Sequence, residues 1–247
     1  MIYNAIINGL NVTSYFSDED IQNIYIPLLR RLTHMYNEKG SRIIVLMAAP
    51  PGAGKTTLSS FLSFLSCKMK DIKPIMAIGM DGFHYYQEYL DTHTVLREGK
   101  EVLLAEIKGA PETFDLFKLS KGIERLFNNE IVKWPEYDRH IGNPIENVYT
   151  VDEDIVLIEG NYLLLNYPGW KDLKKFADYT IMLRIDEESA RNRLITRKMK
   201  GKGISFEEAS AHVESSDLYN YRNVVNNSMA ADILIDFSDK GDLVFDK

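Results

Sequence analysis

The 247-residue sequence predicts an α/β fold: a mostly parallel sheet with helices on both faces, a three-layer αβα sandwich. Two observations carry this expectation. Short apolar runs alternate with stretches of helical period, and parallel strands buried on both faces read as near-continuous apolar runs. The second is the segment Ala49-Pro50-Pro51-Gly52-Ala53-Gly54-Lys55-Thr56. It joins the run Ile43-Ile44-Val45-Leu46-Met47 to a helix with Leu58, Phe61, Leu62 and Leu65 at helical spacing. A strand, a glycine-rich loop and a Gly-Lys-Thr helix start are the context of a phosphate-binding P-loop.

The elements follow in order. Residues 2–16 read as a β-hairpin around an Asn8-Gly9 turn. Ser17 caps a helix with Asp20 as capping-box partner. Ile21, Ile24, Tyr25, Leu28, Leu29 and Leu32 give that helix an apolar face, and Gly40 closes it. Residues 1–40 thus form a hairpin-helix extension that packs either on the main domain, residues 41–247, or on a second subunit. In the main domain, strands are expected near 42–48 and 74–80, the latter ending in Asp81-Gly82-Phe83-His84. A polar, aromatic-rich region runs to about 113. Thr113-Phe114-Asp115 then leads into a helix with Leu116, Leu119, Ile123, Leu126 and Phe127 on one face. A short strand near 131–134 precedes Pro135-Glu136-Tyr137-Asp138-Arg139-His140. Strands Ile155–Ile158 and Thr180–Leu183 follow, then a basic helix over 187–200 that Gly201-Lys202-Gly203 breaks. Two helical stretches and a strand at Ile233-Leu234-Ile235 complete the chain.

Composition narrows the function. A net charge of −7 argues against a broad nucleic-acid surface, which needs clustered Lys and Arg. The single cysteine, Cys67, precludes an internal disulfide and is expected to be a buried or half-buried passive thiol. No apolar stretch reaches the length of a membrane span, and the first residues lack the pattern of a signal peptide, so a cytoplasmic location is expected.

Pro51, Gly52, Ala53, Gly54, Lys55, Thr56 and Thr57 are the candidate contacts to ATP phosphates. Backbone N–H groups in such a loop point at an anion, and the helix N-terminus adds a positive dipole end. Lys55 would reach the β- and γ-phosphates, and the Thr56 hydroxyl would hold Mg²⁺. Ligands of open α/β sheets bind beyond the carboxyl ends of strands. Asp81 and Glu159 stand at such ends. Glu159 is the second candidate for the metal shell, and Asp81 the candidate base or hydroxyl-orienting group. Taken singly, Asp81 also reads as a turn residue and Glu159 as a buried paired carboxylate. Positive charge for the transition state is available from Arg184, Arg191, Arg193, Arg197, Lys198, Lys200 and Lys202. This segment reads either as a solvated helix face or as a lid, about 187–204, whose arginines close over the transferring phosphate. Arg193 and Arg197, at i and i+4, share a face and are the best catalytic pair.

The P-loop, Asp81-Gly82-Phe83-His84, Pro111-Glu112-Thr113-Phe114-Asp115, Pro135–His140 and Ile158-Glu159-Gly160-Asn161-Tyr162 occur in this order. Together they resemble the phosphoribulokinase, uridine kinase and bacterial pantothenate kinase superfamily over about residues 40–237. Within it, the chain is most similar to nucleoside/nucleotide kinase-like proteins, some labelled as sugar kinases. The resemblance implies ATP and Mg²⁺, a five-stranded parallel core, a lid after the fourth strand, and Asp81 against the acceptor hydroxyl. It also makes Tyr137, Arg139 and His140 candidates for the acceptor pocket, with Asn161, His84 and Phe83 beside them; Phe83 reads equally as core. Ala49, where the strict loop pattern has Gly, and the Pro50-Pro51 pair depart from typical uridine kinases. The expected function is an ATP-dependent kinase for a small-metabolite hydroxyl, with a nucleoside such as uridine first, and pantothenate or a sugar such as fructose close behind. A homodimer is compatible with this reading. The alternative is a nucleotide-binding regulatory or assembly protein with slow hydrolysis. A nucleic-acid-end kinase is disfavoured by the charge.

Overall fold

The computed structural model describes residues 1–7, 9–97, 99–237 and 243–244. In chain order the elements begin with β1 (Ile2–Ile7), β2 (Leu10–Tyr15), α1 (Asp18–Asp20), a π-helical turn (Ile21–Tyr25) and α2 (Ile26–Lys39). Next come β3 (Ile43–Ala48), α3 (Lys55–Ser66), β4 (Ile75–Gly79), α4 (Gln87–Leu90), β5 (Thr94–Arg97), β6 (Lys100–Leu103) and α5 (Leu116–Phe127). The hairpin β7 (Val132–Asp138) and β8 (Asn143–Val151) precedes β9 (Ile155–Gly160) and β10 (Tyr179–Ile185). The chain closes with α6 (Glu187–Lys202), α7 (Phe206–His212), α8 (Leu218–Asn227), β11 (Ile233–Phe237) and β12 (Leu243–Val244).

The main sheet has the order β12-β11-β10-β3-β9-β4. Its five long strands are parallel, and the two-residue β12 pairs antiparallel at the edge. Alternate residues of one strand point to opposite faces, and here both faces are covered. Ile43, Val45 and Met47 of β3 join one core with α2, α3 and residues of α6 to α8. Ile44, Leu46 and Ala48 join the other, against α5, Trp134, Tyr162 and Trp170. All six residues of β3 are buried, which is why this strand reads as an unbroken apolar run.

The N-terminal extension packs on its own chain. Phe16 stacks on Phe61 of α3 at 3.7 Å, Tyr3 and Tyr25 meet the same ring edge-on, and the Tyr3 hydroxyl bonds Ser60 Oγ at 2.7 Å. The hairpin and α2 therefore share one continuous core with the loop-bearing helix. Ser17 caps as expected, its side chain accepting from Asp20 N, and Gly40 ends α2 at φ 67°. Asn8 of the expected turn lies outside the described residues.

Three local expectations are corrected, and one region that carried no element in the sequence reading gains them. Cys67 is exposed at the C-terminus of α3 because the helix ends there on the surface side. The basic helix does not break at Gly201: it continues to Lys202, and only Gly203, at φ 65°, terminates it. The region before residue 113 holds α4 and the β5–β6 hairpin. The strand expected at 131–134 extends to Asp138 and pairs with β8 as a second hairpin.

Candidate active site

The loop after β3 turns twice through left-handed backbone, at Gly52 (φ 84°) and Gly54 (φ 85°), which glycine adopts without a Cβ penalty. A Cβ on Gly52 would lie 2.9 Å from the Ala190 carbonyl, so the loop is pressed against the start of α6. A Cβ on Gly54 would meet nothing within 4 Å, which leaves the approach to the α3 N-terminus open. Pro51 and Ala53 are buried in the loop, and Lys55, Thr56 and Thr57 are half-buried in the first turn of α3. Ala49, at the position of the family's Gly, is wholly buried in the core.

Strands β4 and β9 are neighbours, so their ends bring Asp81 and Glu159 together beside this loop. Thr56 Oγ1 donates to Glu159 Oε1 at 2.8 Å, and Lys55 Nζ lies 3.8 Å from Glu159 Oε2. Burial raises the Glu159 pKa and Asp81 adds to the effect, while Lys55 opposes it. Asp81 experiences the reverse outcome. Burial alone would raise it, but Arg139, Lys55 and Arg197 together hold it below the ordinary carboxylate value. Arg139 Nη2 donates to Asp81 Oδ2 at 3.0 Å, and 35% of the Asp81 side chain remains open to the cleft. Two carboxylates side by side with pKa values pushed apart are a pattern of divided chemical roles.

Asp81 opens a tight turn, Asp81–Phe83, which is clamped on β7. A Cβ on Gly82 would lie 2.3 Å from the Pro135 carbonyl oxygen. Trp134 Nε1 donates to Gly79 O at 2.8 Å and ties the same strand ends together. His84 stacks on Phe114 at 3.8 Å and has Nδ1 3.1 Å from the Thr113 carbonyl. Its pKa falls to about 4, chiefly through burial, so the ring is neutral at pH 7. Tyr137 meets His84 edge-on at 5.2 Å, and its hydroxyl donates to Gly142 O. Arg197 reaches this group from α6 with its side chain, like that of Arg193, open to solvent; desolvation by its surroundings and the neighbouring Arg139 lower its pKa, and Asp217 and Asp81 oppose the shift.

The structure thus gathers Lys55, Thr56, Glu159, Asp81, Arg139, His84, Tyr137 and Arg197. Three expected residues do not join them. Phe83 is buried edge-on to Trp134 at 4.7 Å and is core, because the clamped turn directs it inward. His140 stands exposed at the tip of the β7–β8 hairpin with its ring against Gly9 of the N-terminal hairpin, since the strand carries it past the cleft. Arg193 is exposed and makes no ion pair or hydrogen bond among the described residues. Asn161, just past β9, has a buried Oδ1 without a hydrogen-bond partner among the described residues. Lys108 was not anticipated. It lies in an irregular loop with no motif around it, and only the fold brings it beside Tyr137.

The site suits nucleotide phosphates and magnesium. Among the described residues no three His, Cys, Asp or Glu side chains form a metal-binding group. A threonine hydroxyl beside one carboxylate matches Mg²⁺ instead, which takes one or two carboxylates and completes its shell with phosphate oxygens and water. No helix among the described residues is long and apolar enough to cross a membrane.

Comparison with known proteins agrees with this geometry. Residues 43–243 match the model of the phosphoribulokinase / uridine kinase family. The uncharacterized protein YggC of Escherichia coli (strain K12) is 34% identical over 236 residues, covering 95% of each chain. A candidate uridine kinase of Schizosaccharomyces pombe is 28% identical, covering 93% of each. The crystal structure of a candidate fructose transport system kinase from Silicibacter sp. TM1040 superposes with a TM-score of 0.72 at 31% identity, covering 83% of this chain and 98% of that one. The chain belongs to the phosphoribulokinase / uridine kinase family and is a P-loop phosphotransferase acting on a hydroxyl group.

Proposed function

We propose that the protein transfers the γ-phosphoryl group of ATP to a hydroxyl of a small metabolite, with Asp81 receiving the hydroxyl proton. The observation that carries this reading is the pair Asp81 and Glu159. They stand on adjacent strand ends beside the P-loop, one held ionised by Arg139 and the other bonded to Thr56.

In this reading the backbone N–H groups from Gly52 to Thr57 cradle the phosphates, Pro51 has no N–H and only shapes the loop before them, and Lys55 exchanges Glu159 for the β- and γ-oxygens. Thr56 and Glu159 would hold Mg²⁺, directly or through water. The ion supplies charge neutralisation at the phosphate oxygens when bound. The acceptor oxygen forms a bond to the γ-phosphorus as the bond to the β–γ bridging oxygen breaks. ADP departs with that electron pair, and the proton passes to Asp81 and then to solvent. Arg197 makes no ion pair among the described residues and is free to meet the transferring group. Arg193, exposed one turn earlier on α6, joins it only if the helix moves on closure. The unpartnered Asn161 Oδ1 accepts from an acceptor hydroxyl.

The acceptor classes that fit are a nucleoside, pantothenate or a sugar such as fructose. The names of the fission-yeast and Silicibacter relatives support the first and last. The test is coupled ADP production with Mg-ATP against nucleosides, pantothenate, fructose and related sugars, beside an acceptor-free control. ADP release that depends on one acceptor class is the expected result. Release at one rate with and without every acceptor would overturn the kinase reading in favour of a slow nucleotide hydrolase.

A further inference from the structure

Beyond Asp81 the cleft is lined by positive charge that the nucleotide side does not use. Lys108 Nζ donates to Gln87 Oε1 at 2.5 Å and to the Gly142 carbonyl at 2.8 Å, both neutral. It forms no ion pair with a carboxylate among the described residues. An ammonium has three N–H donors, so one remains uncommitted. Lys108 lies 5.4 Å from the centre of the Tyr137 ring, and the Arg139 guanidinium lies 5.9 Å from the same ring. The Tyr137 hydroxyl donates to the Gly142 carbonyl that Lys108 also uses, so ring and ammonium are held as one unit.

The charge balance around the cleft is uneven. Lys55 faces Glu159, Arg139 faces Asp81, and Lys198 faces Asp217 at 2.9 Å. Among the described residues Arg197 and Lys108 form no such close ion pair, although Asp217 and Asp81 act on Arg197 from a longer distance. Arg197, on the lid helix, is accounted for by the transferring phosphate. Lys108 stands beside the Tyr137 ring, which itself meets His84 edge-on at 5.2 Å, and this sets it on the His84 side of Asp81 rather than beside the P-loop. In a protein of net charge −7, a half-buried cation without a counter-charge beside a shared arginine is a local departure. A neutral acceptor would cover Lys108 and leave it partly desolvated with no opposite charge, which is costly.

We propose that the acceptor carries its own anionic group, a carboxylate or a phosphate, held by Lys108 and Arg139 beside Tyr137 while its hydroxyl faces Asp81. This rests on the kinase reading above and narrows its acceptor to an anion.

The experiment uses acceptor pairs in which a neutral hydroxyl replaces the anionic group on the same carbon skeleton: pantothenate and panthenol, gluconate and glucitol, fructose 1-phosphate and fructose. ADP production is measured with the wild type, Lys108→Gln and Lys108→Arg. A second readout is calorimetric titration of each compound into the MgADP-loaded protein. The expected result is turnover of an anionic member in preference to its neutral twin, with the carboxylate and phosphate pairs telling the two sources apart. Lys108→Gln then raises KM for that member about 10- to 100-fold with kcat within about twofold, the scale of a hydrogen bond to a charged group. Lys108→Arg keeps the preference. Equal use of both members, or one common loss of kcat for both in Lys108→Gln, would show Lys108 to be structural. That result would overturn this proposal and leave the kinase reading standing. ADP release indifferent to every compound overturns the kinase reading. The titrations then decide the anion site: binding of an anionic member that Lys108→Gln abolishes retains it, and no binding of either member removes it.

Discussion

Replacing Asp81 by Asn keeps the shape of the side chain and removes its charge and its basicity. The carboxylate is paired with Arg139 at 3.0 Å, but 35% of it is exposed, and exposed pairs contribute about 0–1 kcal/mol. The fold should therefore hold, with Tm within about 3 °C of the wild type for a chain of this size. Loss of a positioned base costs about 10²- to 10⁴-fold in rate, which is ~3–5 kcal/mol of transition-state stabilisation. MgATP affinity should be unchanged or slightly higher, because a negative charge near the γ-phosphate is gone. The assay is kcat with the acceptor found in the panel, MgADP titration and thermal unfolding on the same preparation. Arg139→Gln and the double variant separate two roles. If Asp81 serves only to anchor Arg139, the two single variants lose equal activity and the double loses no more. If Asp81 takes the proton, Asp81→Asn is the more severe change. Turnover within twofold of wild type in Asp81→Asn would refute the assignment outright.

Two further outcomes follow from the site's construction. In Gly82→Ala the new methyl would sit 2.3 Å from the Pro135 oxygen and 2.5 Å from its carbonyl carbon, so either β7 or the Asp81 turn must shift. Overpacking of this kind costs about 1–3 kcal/mol, and misplacing a reacting group by about 1 Å costs roughly 10²-fold in turnover; wild-type Tm together with wild-type kcat would contradict the clamp. For His84 the folded pKa of about 4 lies below the ordinary 6.5, so between these values the unfolded chain binds the extra proton. Its contribution is fully present above pH 6.5 and is lost as pH falls toward 4, by at most ~3 kcal/mol. Urea unfolding at several pH values should show a shallower slope over this window for His84→Gln, and parallel slopes in both proteins would sink the claim.

The loop after β3 and the two carboxylates at the strand ends were readable in the sequence because their constraints are local. The P-loop is one contiguous segment whose glycines meet a backbone demand at φ 84° and 85°. Asp81 and Glu159 follow directly on apolar runs, so their places at strand ends come with the strands. The parallel sheet was readable for the same reason, since strands buried on both faces leave a continuous apolar signature. The acceptor wall offered no such signal. Six of the nine residues of β8 are exposed, and nothing in their order alternates in a way that marks a strand. β5 and β6 are four residues each and half-exposed. Of the two readings open for Phe83, acceptor contact and core, the structure takes the second, because the clamped turn directs the ring toward Trp134. The Cys67 reading failed because the surface end of a helix leaves no mark on composition.

That division bears on why the reaction class is easier to read than the acceptor. Phosphate is met by backbone, and backbone requirements are written in glycine positions that tolerate few alternatives. In the proposed reading the acceptor is met by side chains on a two-stranded hairpin and an irregular loop, where exposure leaves residue choice free of packing demands. Arg139 reaches Asp81 because β7 runs past the end of β4, where Trp134 bonds Gly79, and Lys108 reaches Tyr137 from a separate loop. A change of residue at 108 or 139 would alter neither the sheet nor the P-loop, yet it would redraw the charge that an acceptor meets. If Lys108 and Arg139 hold the acceptor as proposed, relatives that share the loop and both carboxylates are expected to differ in acceptor where these two positions differ. The side-chain charge at 108 and 139 is the feature to compare when acceptors are assigned among them.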